Sequence, residues 1–495
     1  MQVASGRDML LARVPIDKPP LSIYTMAASL FVFGRIEIAA RLPNLIASVV
    51  SVALVWQWGK ALLTPSPSPD DDPLTPASTG SASAQDAVVR RGETDIRLGA
   101  SPPLPKRSVS FRERGLGGEV IAALAMALSP FNIAFGGTAF LDPLMVMWGL
   151  AACVAAARHR TGWAGVFLGL AFATKVQGLL FAPLVFITAE FAESAEIGMR
   201  KYFHFTLGLG WVVLLVLAWS LLRGGMPFWV QQTINYGGIR PAFASEISPR
   251  LMSWLALLPY FFGPIVSVVL GLGMFILLVN ALTRAARARA AAIDLLLITY
   301  ALGFFTLHWL LAFPVWDRYL LILVPIGAML LGRLVTLLGE RLSSHSQVAI
   351  KLPTHPFILG VVTLAMLPVS IQAARSELPI GGDHGSRDGI DQVAAYLRDL
   401  PIGTVVYDHW LGWEFHYYLW DAPLYRAYFD TPADLARDLR VFGRASVRYL
   451  VFPASESTNK IARAIGAQGF ALTPVLTTTD RFGQTSFTVY QVTSR

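Results

Sequence analysis

Apolar runs of membrane-spanning length recur along this chain, and they carry almost no charge. Crossing the hydrocarbon of a bilayer takes roughly 20 mostly apolar residues. Candidate spans fall at 42–63, 119–136, 140–157, 203–222, 255–282, 293–313, 319–338 and 357–373. Hydrocarbon offers the backbone no hydrogen-bond partners, so such runs fold as helices. Composition agrees. Of 495 residues, 54% are hydrophobic and 15% charged, and the mean hydropathy is +0.53. A soluble domain carries about 25% charged residues to cover its outside. The chain is therefore read as an integral membrane protein, which excludes disulfide-rich and disordered classes for the chain as a whole. The one cysteine, Cys153, sits in an apolar run. Alone it makes neither an intrachain disulfide nor a Cys-based zinc site, and it reads as packing.

The net charge is +8. In a soluble protein that excess suggests nucleic acid. Here it reads as orientation, because Lys and Arg collect in cytoplasmic loops. Segment 163–191 decides the parity. As one helix it would hold Lys175 near the bilayer centre, at a cost of about 2.5–3.5 kcal/mol. As two short helices broken at Lys175–Gly178 it would present Lys175 at a membrane face. With the pair, and residues 1–41 outside, loops 64–118, 158–162, 192–202, 283–292 and 339–356 are cytoplasmic. They hold 16 Lys and Arg against 5 in the opposite linkers. A single span would put Arg284, Arg287 and Arg289 outside, so the pair is preferred. The count of membrane segments becomes about ten.

Two regions stand apart from the spans. Residues 64–118 form a Pro-, Ser-, Ala- and Asp-rich insert with too little apolar surface to fold alone, expected as a disordered cytoplasmic loop. Residues 380–495 carry 12 acidic and 11 basic residues. Helical periodicity at 390–400, 432–443 and 459–469 alternates with strand-like runs at 404–408, 447–452 and 485–492. This is the pattern of a small α/β domain, and the parity places it outside. Residues 119–379 are the transmembrane core. Segment 21–40, before the first span at 42–63, reads as an amphipathic helix on the external membrane surface.

Charge near a membrane span is costly, so each such residue is a functional candidate. On this parity Asp17, Lys18, Asp142, Lys175, Asp317 and Arg318 all meet the external face. The set suits an anionic, membrane-anchored substrate. Lys holds phosphate as a point charge and Arg as a fork, and a carboxylate serves as base toward an acceptor hydroxyl. Each residue also has a structural reading. Asp17 and Lys18 make a surface ion pair, Asp142 before Pro143 caps a helix, Lys175 snorkels outward, and Arg318-Tyr319 is an interfacial pair. His308, inside a span, reads as packing. In the C-terminal domain His409, Trp410, Trp413, Glu414, His416 and Tyr417 cluster. Core packing is favoured for the rings over sugar stacking, and the His/Glu spacing matches no recognised metal site.

Asp17-Lys18-Pro19-Pro20-Leu21 is followed by Ala28-Ser29-Leu30-Phe31-Val32-Phe33-Gly34 and Glu37-Ile38-Ala39-Ala40-Arg41-Leu42-Pro43. Farther on come Ala139-Phe140-Leu141-Asp142-Pro143, Gly169-Leu170-Ala171-Phe172-Ala173-Thr174-Lys175, and Arg318-Tyr319 with Pro325 downstream. Over roughly residues 1–340 this order resembles bacterial family 39 glycosyltransferases, which include protein O-mannosyltransferases and the lipid A aminoarabinose transferase. The resemblance implies a GT-C membrane fold, a polyprenyl-phosphate sugar donor, and an acceptor hydroxyl on protein, lipid or glycan at the extracytoplasmic side of the plasma membrane. It assigns Asp17 and Asp142 to the catalytic site, and Lys18, Lys175, Arg318 and Tyr319 to the donor phosphate. It implies no obligatory cofactor, with a divalent metal left open. In that family a further membrane helix and a loop bearing an Asp-Glu pair come first. This sequence opens at Met1-Gln2-Val3-Ala4-Ser5-Gly6-Arg7-Asp8, so the gene is expected to begin upstream. Partners are expected to be the lipid-linked sugar, the acceptor and the bilayer, without nucleic acid. A flippase for lipid-linked sugars and a non-catalytic scaffold are the other readings. Replacing Lys175 with Ala is expected to abolish transfer and leave the fold intact.

Overall fold

The computed structural model describes residues 2–12, 14, 16–63, 117–192, 199–283, 289–345, 354–382, 385 and 387–494. The insert expected at 64–118 lies outside the described residues apart from Gly117 and Gly118. The chain is a polytopic α-helical membrane protein with a small C-terminal α/β domain. Its first helices are α1 (Leu21–Phe33), α2 (Glu37–Leu63), α3 (Gly118–Leu128), α4 (Pro130–Gly136) and α5 (Asp142–Ala157). Next come α6 (Thr161–Thr174), α7 (Ala182–Ala192), α8 (Met199–Leu222), α9 (Phe228–Tyr236) and α10 (Ala244–Leu255). The membrane part closes with α11 (Pro264–Thr283), α12 (Arg289–Leu310), α13 (Leu323–His345) and α14 (Thr354–Ala374). Among the described residues six helices are long and apolar enough to cross a membrane, or seven if α3 and α4, bent by 49°, form one span. Ser129-Pro130 makes that bend: the Ser129 hydroxyl accepts from the Asn132 N–H and Pro130 opens α4.

The ion-pair-bearing end is organised by one buried helix. The stretch running from Asp317 through α13 is 94% buried in its spanning window, against 22–33% for the other long helices. A helix apolar all round belongs in a core. Leu320, Val324, Ile326, Met329 and Leu330 of this stretch are almost wholly enclosed. Outer helices instead turn Leu214, Leu272, Phe275 and Leu364 outward, as a lipid-facing surface does.

Segment 163–191 is two helices. Thr174 ends α6, Lys175 is extended (φ −158°, ψ 136°), and a 3-10 turn at Val176–Phe181 leads into α7. Thr161 and Ala164 line the same small cavity as Val185 and Ala189. The start of α6 therefore meets the end of α7, and the two form a hairpin with Lys175 at its tip. Gly162, Gly165 and Gly208 let α6 and α8 touch backbone to backbone: a Cβ on Gly165 would sit 2.1 Å from the Phe205 carbonyl oxygen.

Two expectations need correction. Segment 21–40 is not one amphipathic helix. Gly34 (φ 80°) breaks it, α2 begins at Glu37, and α1 buries Ser22 and Ser29 while exposing Phe31, Val32 and Phe33. Its outward side is apolar, while the hydroxyls of Tyr24, Thr25 and Ser29 bond carbonyls of the protein, as Ser29 does to the Ala39 carbonyl. The span expected from 255 starts at Pro264, since Gly263 (φ 83°) and Pro264 stop a helix from running through.

The C-terminal domain holds α15 (Ile390–Arg398), β1 (Val405–Asp408), α16 (Gly412–Tyr418), β2 (Tyr425–Tyr428) and α17 (Pro432–Phe442). It ends with β3 (Arg448–Pro453), α18 (Asn459–Gly466), β4 (Phe470–Thr479) and β5 (Thr485–Ser494). The sheet order is β2-β1-β3-β5-β4, with β1 parallel to both neighbours and β5 antiparallel to β3 and β4. Val393, Leu397 and Phe415 fill one face; Leu435, Leu439 and Ile465 fill the other. Two strands were not anticipated. β2 is a four-residue edge, and β4 carries Pro474, where its pairing slips; proline is tolerated only at such an edge. The domain packs on the end of the bundle that holds Lys175. Arg35 pairs with Asp421 at 2.6 Å, the Tyr418 hydroxyl donates to Glu37, and Arg7 lies 5.0 Å over the Trp420 ring.

Candidate active site

Helix ends and breaks supply the charges. Asp142 begins α5, Lys175 interrupts the hairpin, and Arg318 and Tyr319 lie in the 3-10 turn Asp317–Ile322 ahead of α13. Lys175 Nζ donates to Asp142 Oδ1 at 2.6 Å, with both side chains about 95% or more buried. Lys175 therefore does not snorkel outward, and Asp142 makes no capping hydrogen bond with its helix. Instead the two charges neutralise one another, and Nζ lies 4.6 Å over the Tyr319 ring. Asn44 Nδ2 donates to the carbonyls of Thr138 and Phe140, fixing the loop that delivers Asp142.

Asp17 and Lys18 form a second pair, at 3.0 Å and half-buried. Lys18 Nζ also donates to the Tyr236 hydroxyl at 2.9 Å, and Asn235 Nδ2 donates to Asp17 at 3.1 Å. Burial raises the Asp17 pKa, but hydrogen bonds from Lys18 and Asn235 and the charge of Lys18 outweigh it, leaving the carboxyl below its usual range. The Tyr236 ring meets Trp316 edge-on at 5.8 Å, and Trp316 lies 5.5 Å from Tyr319. Tyr236, Trp316 and Tyr319 thus connect the outer pair to the inner one.

Arg318 differs from both lysines. Its guanidinium is walled by Trp316 at 4.2 Å and Phe140 at 4.8 Å. Its Nε is buried without a hydrogen-bond acceptor. Among the described residues no carboxylate lies within ion-pair distance of it. The charges of Arg318 and Lys18 both reach Lys175. The centre therefore holds three cations and three carboxylates: Asp17 and Asp142 pair with the lysines, while Asp317 lies near enough to feel the charge of Arg318 without forming an ion pair with it. Chemically such a set can hold an anion beside the half-buried Asp17 carboxylate.

Several supporting residues escaped the sequence reading. Asn235 and Tyr236 lie in the linker between α8 and α10, and no local pattern ties them to Asp17 and Lys18, more than 200 residues away. Asn44 follows Pro43 inside a span, and a polar amide at that place is a signal. Arg250 donates to the carbonyls of His308, Trp309, Leu311 and Phe313, closing the end of α12 before Trp316. Nothing in the sequence marked it. His308 stacks on Phe304 at 4.2 Å and pairs with its carbonyl at 3.0 Å, as a packing residue does. In the C-terminal domain His409 bonds the Phe429 carbonyl, Glu414 pairs with Arg387, and His416 bonds the Gly412 carbonyl. Among the described residues no three His, Cys, Asp or Glu converge as a metal site. Trp410 packs inside while Trp413 is 86% exposed, contrary to the core role expected for it.

No protein-family model matches the chain, and no curated protein matches its sequence. Solved structures do match. ArnT from Cupriavidus metallidurans in the apo state superposes with a TM-score of 0.58 at 13% identity, over 96% of this chain and 88% of that one. The same protein bound to undecaprenyl phosphate gives 0.51 at 14% identity, over the same shares. This is a GT-C fold. The GT-C likeness covers the membrane part and the C-terminal domain together, since almost the whole chain is matched.

Proposed function

We propose that the chain is a membrane glycosyltransferase that moves a sugar from a polyprenyl-phosphate donor to a hydroxyl of a protein, lipid or glycan on the extracytoplasmic face of the plasma membrane. The observation that carries the reading is Arg318, a guanidinium with a buried, acceptorless Nε and, among the described residues, no carboxylate at ion-pair distance, sharing the Tyr319 ring with the Lys175–Asp142 pair. A buried polar group without a partner is costly, and a charged one more so. A phosphate oxygen would satisfy it. The GT-C fold supports the choice of donor, because the matched ArnT structure is solved with undecaprenyl phosphate.

In this reading Arg318, with Lys18 and Lys175, holds the donor phosphate and stabilises the charge that grows on it as the sugar–phosphate bond breaks. Fixed charges in a dry site do this without reorganising. Tyr319 lies under Lys175 and holds its ammonium. Asp142 fixes Lys175 through their buried hydrogen bond. Asp17, half-exposed at the mouth, is the carboxylate placed to hydrogen-bond the acceptor hydroxyl as its proton leaves. No step here is assigned to a metal or cofactor.

Binding of undecaprenyl phosphate to purified protein tests the reading. Arg318→Ala should weaken binding at least tenfold, the usual worth of one charge-assisted contact, and abolish sugar transfer. Equal binding by wild type and Arg318→Ala would remove the phosphate role.

A further inference from the structure

Asp317 lies beside Arg318 yet does not pair with it. Its Oδ1 accepts the Arg318 backbone N–H at 2.8 Å, and its Oδ2 accepts the backbone N–H of Gly381 at 2.8 Å. Gly381 belongs to the strap between α14 and α15. Its φ is 81°, and a Cβ there would fall 2.4 Å from the Ala134 Cβ at the end of α4. Only glycine fits this place without displacing α4 or the strap. The same strap is held lower down by Arg481, which pairs with Asp388 at 2.6 Å and donates to the Arg375 carbonyl at 2.8 Å. One carboxylate thus joins the backbone of the anion-site residue to the backbone entering the C-terminal domain.

We infer that Asp317 is a positioning residue: by accepting both the Arg318 and Gly381 N–H groups it fixes the direction of the Arg318 guanidinium and makes that direction depend on the C-terminal strap. The inference rests on the phosphate reading of Arg318. Three observations support it. Asp317 spends both oxygens on backbone donors, so it leaves the guanidinium free for an outside anion. The 3-10 turn it opens has no side-chain cap of its own to hold residue 318. The Gly381 contact also crosses 64 residues, so the strap, and not the turn alone, sets the geometry.

Simple electrostatics makes the opposite prediction, which allows a clean test. Removing a negative charge next to an anion site should tighten phosphate binding. Asp317→Asn keeps the shape, removes the charge, and replaces one acceptor oxygen with a donor. Purified wild type and variants are compared for binding of undecaprenyl phosphate and of undecaprenol, which differ only in the phosphate. The ratio of the two affinities isolates the phosphate contact from the lipid tail and from general damage. Asp317→Asn should lower that ratio about tenfold while undecaprenol binding stays as in wild type. Asp317→Ser, which can still cap residue 318 but cannot reach Gly381, should lower it as well. A ratio unchanged or raised in Asp317→Asn overturns the positioning role, and a wild-type ratio in Asp317→Ser removes the strap from it. If Arg318→Ala also keeps the wild-type ratio, the phosphate reading fails and takes this inference with it. If Arg318→Ala loses the ratio and both Asp317 variants keep it, only the inference fails.

Discussion

Lys175 shows how one contact changes an experiment. Among the described residues its ammonium is the one ion-pair partner of Asp142, which is buried almost completely. Removing one partner of a buried pair typically costs about 3–5 kcal/mol. Lys175→Ala should therefore lower thermal stability as well as transfer, contrary to the expectation that the fold would stand intact. Lys175→Met combined with Asp142→Leu should regain much of the stability in a melting experiment and none of the transfer. Asp17 offers a pH signature. Its carboxyl is held below the usual range, so its pairing contributes fully above about pH 4, near the unfolded value. The contribution is lost as pH falls through the depressed folded value. In acid melting curves wild type should lose this part of its stability, and Asp17→Asn should lack that loss. The residues legible in the sequence were those whose charge was out of place in an apolar chain: Asp17, Lys18, Asp142, Lys175 and Arg318. Arg250 was not, and Asn44 showed only as an amide out of place, because both bond backbone carbonyls, and a sequence does not display which carbonyls a fold leaves unpaired.

At the scale of elements, the short helices do more positioning than the long ones. The contact of α6 with α8 needs glycine on both sides, since Cβ atoms at Gly165 and Gly208 would meet backbone at 2.1 and 2.3 Å. Small residues of this kind let membrane helices approach closely. Gly165→Leu should push α6 off α8, displace Lys175 at the far end of α6, and reduce transfer more than donor binding to the remaining Arg318. Separate binding and turnover measurements check this. The hairpin itself was legible, because a single helix would have stranded Lys175 in hydrocarbon and reversed the charge bias. The helix breaks at Gly34 and Gly263 were not, because apolarity runs straight across both and only the backbone angles reveal them. β2 and β4 were missed for a related reason: four residues at an edge, and a strand containing Pro474, give no clean alternation.

Across the whole molecule, the membrane class and the α/β domain could be read from hydropathy and charge, while the way the domain docks could not. Docking rests on pairs such as Arg35–Asp421, separated by 386 residues, with no local pattern to announce them. Exposed pairs are individually weak, so Arg35→Ala alone should change little. Arg35→Glu, which sets like charges against Asp421, should loosen the domain, and limited proteolysis of the strap should then proceed faster than in wild type.

The hairpin also has a length. α6 has 14 residues and rises about 21 Å, well short of a hydrocarbon core of about 30 Å. A turn carried on so short a helix cannot stand at the headgroup plane of an unperturbed bilayer if its base is at the opposite one. The bilayer must thin around the hairpin, or the reacting phosphate must sink below its neighbours, at a cost that rises with each ångström of mismatch. If the proposed transfer takes place at Lys175, membrane thickness should then bear on its rate. Protein reconstituted in short-chain lipids should turn over faster than in long-chain lipids, with Lys175 at the bottom of a local dimple.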